Sequence, residues 1–249
     1  MKSETNKFDL TIMVTCYNEE TVIRKTFDTV LKVLDGFDYR YEVLVFDDGS
    51  KDNSVSVINQ YIDDNNLQKT FTLVANQKNE GIAVNYFRGA ELGRGEYYWI
   101  VHGDNAMWVS EGKKVIDLLG KADIIIPENG TRLFSAKHNF DHRSFGRRII
   151  SRLFAILVRL ASGIRLWYFN GLILTKRERV LENRVGTYGF GYMAEILCKA
   201  LSDPEVNYLE VRVHNYDRAA LPTSAFKTKN VLSVIASLWR ILIGRCKGM

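Results

Sequence analysis

Three short stretches of this chain set carboxylates beside small or aromatic residues, each directly after an apolar run. The first is Thr15-Cys16-Tyr17-Asn18-Glu19-Glu20. Tyr17 offers a face on which a planar base can stack, and Glu19 can accept a hydrogen bond from a ribose hydroxyl. The same acids also suit the positive end of a helix macrodipole with no ligand at all. The second is Asp47-Asp48-Gly49-Ser50, followed by Asp52. A carboxylate there can accept from a nucleobase N–H, and the glycine lets the backbone turn away. Local capping of the next helix explains the same residues. The third is His102-Gly103-Asp104-Asn105. A carboxylate in that place can hold Mg²⁺ or Mn²⁺ against a diphosphate; a plain turn is the simpler account.

The elements around these stretches position them. Residues 8–16 read as a strand, 17–36 as a helix ended by Gly36, and 41–48 as a second buried strand. A helix after Ser54, a strand at 70–76, a helix after Gly81 and a strand at 96–104 follow. Strands alternating with helices predict an α/β domain with a mostly parallel, Rossmann-like sheet flanked by helices. In such sheets ligands lie beyond the carboxyl ends of the strands. Thr15 to Glu19, Asp47-Asp48, Asn76 to Lys78 and Asp104 all fall at such ends, which says more than any one motif.

Together these segments resemble the family 2 glycosyltransferases. TIMVTCYNEE is similar to that family's first strand and loop, and VLVFDDGSKDNS to its DDGS-x-D segment. NEGIAVNYFRGAELGRGEYYWIVHGD is similar to the stretch leading into its DxD metal motif. The later chain resembles the polyprenyl-phosphate sugar transferases of the dolichyl-phosphate mannose synthase group. That likeness runs through Asn129 to Arg132, Arg147 to Arg152, Phe169 to Leu172 and Glu210 to Arg218. It implies a GT-A fold and an inverting sugar transfer from a UDP- or GDP-sugar to a lipid-linked acceptor. By it, Thr15, Tyr17, Glu19, Asp47, Asp48 and Lys78 hold the donor, and Asp104 holds the metal. Arg132, Arg218 and Lys227 meet phosphates of donor or acceptor. The chain departs from the pattern at His102, where the first carboxylate of DxD is missing, and at Ala106, where many members place a polar ligand. No QxxRW motif is present, which argues against a processive polysaccharide synthase.

A polyprenyl phosphate is already an anion near neutral pH and needs alignment more than a base. A hydroxyl acceptor needs a carboxylate base, for which Glu195 is the candidate; it also reads as an ordinary helix residue. Transfer to a hydroxyl acceptor, and a non-catalytic nucleotide-sugar-binding subunit, stay open as alternatives. The absence of a glycine-rich turn after the first strand and of GxxxxGK[ST] disfavours a nicotinamide dehydrogenase and a P-loop nucleotidase.

The chain has 249 residues, 46% hydrophobic and 25% charged, with a net charge of +5. Seven Lys or Arg and one acid lie between Lys137 and Arg165; five basic residues and no acid lie between Thr223 and Met249. Such a basic half points to an anionic partner. Residues 147–164 read as an amphipathic helix, with Ile150, Leu153, Phe154, Leu157, Leu160, Ala161 and Ile164 on one face and Arg148, Arg152 and Arg159 beside it. That pattern suits a membrane surface, or a core-facing helix with a solvated basic side. The segment 231–244 reads as an apolar helix that docks on the protein, in lipid or on an integral-membrane partner. The expected division is a transferase domain over 1–225 and a helical anchor over 226–249. No apolar run reaches spanning length, and the N-terminus lacks a signal-peptide core. The expectation is a cytoplasmic protein, peripheral on the cytosolic membrane face. Nucleic acid is not expected as the partner, since the basic residues are interleaved with a heavily apolar face. Cys16, Cys198 and Cys246 form no disulfide or zinc pattern.

Overall fold

A computed structural model describes residues 8–129, 145–187, 189, 191–214 and 228–246, without the side chains of 129, 145–148 and 228–231. The first part alternates strictly: β1 (Phe8–Cys16), α1 (Ile23–Leu34), β2 (Tyr41–Asp47), α2 (Ser54–Asp64), β3 (Phe71–Ala75), α3 (Ile82–Leu92) and β4 (Gly95–His102). The second part adds α4 (Val109–Ile116), β5 (Ile124–Asn129), α5 (Phe145–Ser162), β6 (Leu174–Lys176), α6 (Arg177–Glu182) and α7 (Tyr192–Ala200). It closes with β7 (Tyr208–Val213) and α8 (Thr228–Cys246).

The strands form one sheet in the order β3-β2-β1-β4-β6-β5-β7. β1, β2, β3 and β4 are parallel, β6 runs against β4 and β5, and β7 is parallel to β5. The expected mostly parallel α/β sheet is therefore present. Its central strands are apolar on both faces because helices cover both sides. Along β4, Tyr97, Trp99 and Val101 enter one core, while Tyr98 and Ile100 enter the other. α1 buries Ile23, Phe27, Val30 and Leu34 at helical spacing against the first of these cores.

The chain leaves β1 toward β2 and β3, then returns to place β4 on the other side of β1. That reversal opens a crevice at the carboxyl ends of β1 and β4, where open α/β sheets bind ligands. Register lines up the strand ends: Ala75 pairs with Asp47, Asp47 with Cys16, and Thr15 with His102.

Two elements differ from the sequence expectation. α1 begins at Ile23, not Tyr17, because residues 17–20 are taken up by contacts with the loop after β2, and Asn18 sits at φ 57°. β6 is three residues long, too short for a periodic signal, yet it joins β4 to β5. α8 packs beside α5 and α7, with Ile241 and Ser237 buried and Leu238 packed on the core. Among the described residues no helix is long and apolar enough to cross a membrane.

Candidate active site

The loops after β1 and β2 are laced together by polar contacts across more than thirty residues of sequence. The Asp48 N–H donates to the Cys16 carbonyl at 2.8 Å. The Asn18 N–H donates to Ser50 Oγ at 2.8 Å, and Asn18 Oδ1 accepts from the Lys51 N–H at 2.8 Å. The Glu19 N–H donates to Ser54 Oγ at 2.9 Å, and Glu20 Oε2 accepts from the Asn53 N–H at 2.8 Å. Asp52 accepts from Ser54 and from the Glu20 N–H. Burial opposes its ionisation, but these donors outweigh that and hold its pKa below the usual carboxylate range. Backbone groups left without helical partners are satisfied in this way. Tyr17 stands 44% exposed beside the crevice, and Glu19 is half-buried.

Asp47 is buried, and its carboxylate accepts from the backbone N–H and the hydroxyl of Ser50. Asp48 clasps the loop after β3. Its Oδ1 accepts from Asn76 Nδ2 at 3.0 Å and the Glu80 N–H at 2.8 Å; its Oδ2 accepts from the Gly81 N–H at 3.0 Å. Asn76 also receives Arg88 and donates to Asn85. Between them, Gly49 lies at φ +74° with the space for a Cβ filled by the Lys78 backbone at 2.6 Å. Only glycine fits there. Lys78 itself is exposed on the rim of an open cleft of about 430 Å³ that also touches Glu80, Phe87, Arg184 and Val185.

The loop after β4 is pinned from α1. The Thr26 hydroxyl donates to the Gly103 carbonyl at 2.7 Å, and the Thr29 hydroxyl donates to Asn105 Oδ1 at 2.9 Å. A Cβ on Gly103 would meet the Thr15 carbonyl at 2.2 Å. His102 Nδ1 lies 3.2 Å from Thr15 Oγ1. Burial pushes the His102 pKa down, with the Asp104 charge opposing it, so the ring is neutral near pH 7. Asp104 Oδ1 accepts from the Ala106 N–H at 3.1 Å. Cys16, between these loops, is a buried thiol whose pKa burial pushes up to about 12, so it is no nucleophile.

The structure thus brings Thr15, Tyr17, Glu19, Asp47, Asp48, Lys78 and Asp104 to one end of the sheet. Glu195 belongs to α7 and is held by partners of its own. It is 6% exposed near the start of α7, and both its oxygens accept from the Thr187 hydroxyl at 2.7 Å and from Arg240 Nε of α8 at 3.2 Å. Arg132, Arg218 and Lys227 lie outside the described residues. The sequence places Asn76 at a strand end without giving it a role, and singles out neither Arg88 nor Thr187. Arg240 reads from the sequence only as a positive charge within the apolar segment 231–244.

α5 carries two apolar faces, not the single one expected. Ala155 and Val158 are buried, with Phe154, Ala161 and Ile164 packed against the core. Ile149, Ile150, Leu153, Ile156, Leu157 and Leu160 recur at helical spacing on an exposed face, Leu160 at 71%. α8 repeats this with Leu232, Ile235, Trp239, Leu242 and Ile243 exposed. The two helices are joined where Arg245 donates to the Leu160 carbonyl at 3.1 Å.

The family model described as Glycosyl transferase family 2 matches residues 11–192. The chain is 28% identical to a dolichyl-phosphate beta-glucosyltransferase of Dictyostelium discoideum, over 98% of this chain and 78% of that protein. It is 23% identical to an undecaprenyl-phosphate 4-deoxy-4-formamido-L-arabinose transferase of Shewanella sediminis (strain HAW-EB3), over 88% of this chain and 62% of that one. Among solved structures it is similar to glucosyl-3-phosphoglycerate synthase from Mycobacterium tuberculosis, crystallised with Mn²⁺, UDP and glucosyl-3-phosphoglycerate. The TM-score is 0.64 at 14% identity, covering 99% of this chain and 86% of that one.

Proposed function

This chain belongs to glycosyl transferase family 2 and has its GT-A fold, and on that premise we propose that it moves a sugar from a UDP- or GDP-sugar to a polyprenyl phosphate, with inversion. The reaction takes place at the cytosolic face of a membrane. Two relatives named for sugar transfer involving polyprenyl phosphates, one matched along nearly the whole chain, support the acceptor class.

Tyr17 stacks on the donor base, Glu19 holds the ribose, and Asp48 accepts from the base, supported by Asp47 and Thr15. Asp48 already takes three protein donors, which leaves one of roughly four acceptor positions on a carboxylate. Lys78, with Arg132, Arg218 and Lys227 from outside the described residues, meets phosphates. Asp104 fits a divalent cation, Mg²⁺ or Mn²⁺: it is a carboxylate on a pinned turn, with only Oδ1 engaged among the described residues. Such a cation neutralises charge on the departing diphosphate.

The observation that carries the choice of acceptor is Glu195. Both its oxygens are held by Thr187 and Arg240, as a structural tie to α8 requires and a general base does not. A phosphate acceptor attacks without a base. The exposed stripes of α5 and α8 lie on the lipid surface, with 226–249 acting as an anchor docked on the 1–225 transferase domain.

The test is transfer from labelled UDP- and GDP-sugars into organic-extractable lipid, with polyprenyl phosphate in vesicles and Mn²⁺ present. The expected result is labelled lipid from wild type and from Glu195→Gln, and none from Asp104→Ala. Labelling only of hydroxyl acceptors, abolished by Glu195→Gln, overturns the proposal.

A further inference from the structure

α8 turns its smaller side chains to the protein and its larger apolar ones outward. Among its described side chains Ser237 and Ile241 are buried, while Leu232, Ile235, Trp239, Leu242 and Ile243 are exposed. The seat is built from small residues. A Cβ on Gly189 would collide with Ser233 Oγ, and one on Gly191 with Ser237 Oγ. Ser237 Oγ has no hydrogen-bond partner among the described residues, so that contact is one of shape. Arg240, half-exposed, adds its tie to Glu195. A helix in a folded protein takes most of its stability from the face that it buries. Here that face carries few apolar atoms, so covering the outer face adds much to what holds α8 in place.

The helix that α8 grips reaches the loop after β3 by two routes. Tyr192, the first residue of α7, meets Tyr86 of α3 edge-on, with ring centroids 5.7 Å apart. α3 starts beside Gly81, whose N–H is held by Asp48. Lys199, near the other end of α7, donates to the Arg184 carbonyl at 3.4 Å. Arg184 and Val185 line the cleft that Lys78 and Glu80 rim. We propose that α8 couples membrane contact to the nucleotide site. Lipid on its outer face holds it against Gly189 and Gly191, α7 is steadied, and the nucleotide meets a cleft already in its binding form. This rests on the readings above that α8 lies on lipid and that Asp48 and Lys78 meet the donor. Lipid and nucleotide then favour the same arrangement, so each raises the affinity for the other by one common factor.

The experiment uses the full chain and vesicles of phosphatidylcholine and phosphatidylglycerol, without polyprenyl phosphate. UDP and GDP are titrated by calorimetry, and the nucleotide that binds is carried through. Vesicles are expected to tighten its binding about fivefold or more, and saturating nucleotide to tighten vesicle sedimentation by the same factor. An anionic surface repels a nucleotide, so its charge alone would act in the opposite sense. Amide exchange along α7 and α8 should slow when vesicles bind. Gly191→Ala separates the coupling from lipid contact alone. Gly191 has φ −86° and ψ −5°, which alanine adopts freely, so the added methyl acts on the seat against Ser237. The variant keeps its outer face and should still bind vesicles, but vesicles should no longer tighten its nucleotide binding. Full tightening retained in Gly191→Ala overturns the seat as the route. Wild type that binds vesicles with no change in nucleotide affinity overturns the coupling alone and leaves the lipid reading standing. Wild type that binds no vesicles overturns both, and binding of neither nucleotide overturns the donor reading and the proposal with it.

Discussion

At the carboxyl end of the sheet, carboxylates hold backbone: Asp47 accepts an N–H of its own turn, and Asp48, Asp52 and Glu20 accept N–H groups from neighbouring loops. Along α5, α7 and α8 the order is reversed. Helices satisfy their own backbone, and apart from the Arg245 donor to the Leu160 carbonyl the contacts described are side chain on side chain, with a buried carboxylate, Glu195, tying α7 to α8. The first region is stiff where a ligand must meet fixed donors and acceptors. The second has one firm face and one bare apolar face. A rigid polar crevice and an exposed apolar surface are thus built from different interactions, and the two respond differently to substitution.

The largest effect is expected at Asp48. Asp48→Ala leaves the Glu80 and Gly81 N–H groups and the Asn76 amide without their acceptor. Each such loss costs about 1–3 kcal/mol, so about 4 kcal/mol is expected in all. Chemical denaturation measures it, and Asp48→Asn, which keeps one acceptor oxygen, should lose about half as much. A loss below about 1 kcal/mol in the alanine variant would break the comparison, because the loops would then be held by something other than the carboxylate.

Part of this contrast is legible in the sequence. The alternating elements place Asp48 and Asp104 at strand ends, and the short polar motifs name most residues of the crevice. The partners of those residues were not readable. Ser50 and Ser54 lie more than thirty positions from Asn18 and Glu19, and no periodicity joins them, so the sequence pattern starts the helix at Tyr17 instead of Ile23. Glu195 and Arg240 are 45 residues apart, and each reads locally as an ordinary helix residue. On α5 the apolar spacing was correct, but a helix apolar around most of its girth cannot declare which stripe meets the core.

A middle effect is expected at the α7–α8 tie. Arg240→Ala leaves Glu195 buried with Thr187 as its partner. Breaking a buried pair from one side costs about 3–5 kcal/mol, but the Arg240 side chain is 49% exposed and water can replace part of it. About 2 kcal/mol is therefore expected, again by denaturation. The replacement should loosen α8 locally, so hydrogen exchange should rise along 228–246 before it rises in the sheet. Faster exchange in β1 and β4 to the same degree would mean that the two regions form one cooperative unit.

The smallest effect on stability falls one residue away from a large one. Val158 is fully buried, whereas Leu157 is 48% exposed on the same helix. Val158→Ser removes packed methyls and puts a hydroxyl in the core, at a cost of about 2 kcal/mol or more. Leu157→Ser touches only the bare face and should change stability by no more than about 0.5 kcal/mol. Sedimentation with anionic vesicles should rank the two in the opposite order. Leu157→Ser, combined with Leu153→Ser and Leu160→Ser, removes apolar groups that burial in lipid would stabilise by up to about 2 kcal/mol each, so binding should fall by well over tenfold. Val158→Ser, kept below its unfolding temperature, should bind as wild type does. If the triple variant also binds as wild type, lipid does not cover this face; if it unfolds, the face was core after all.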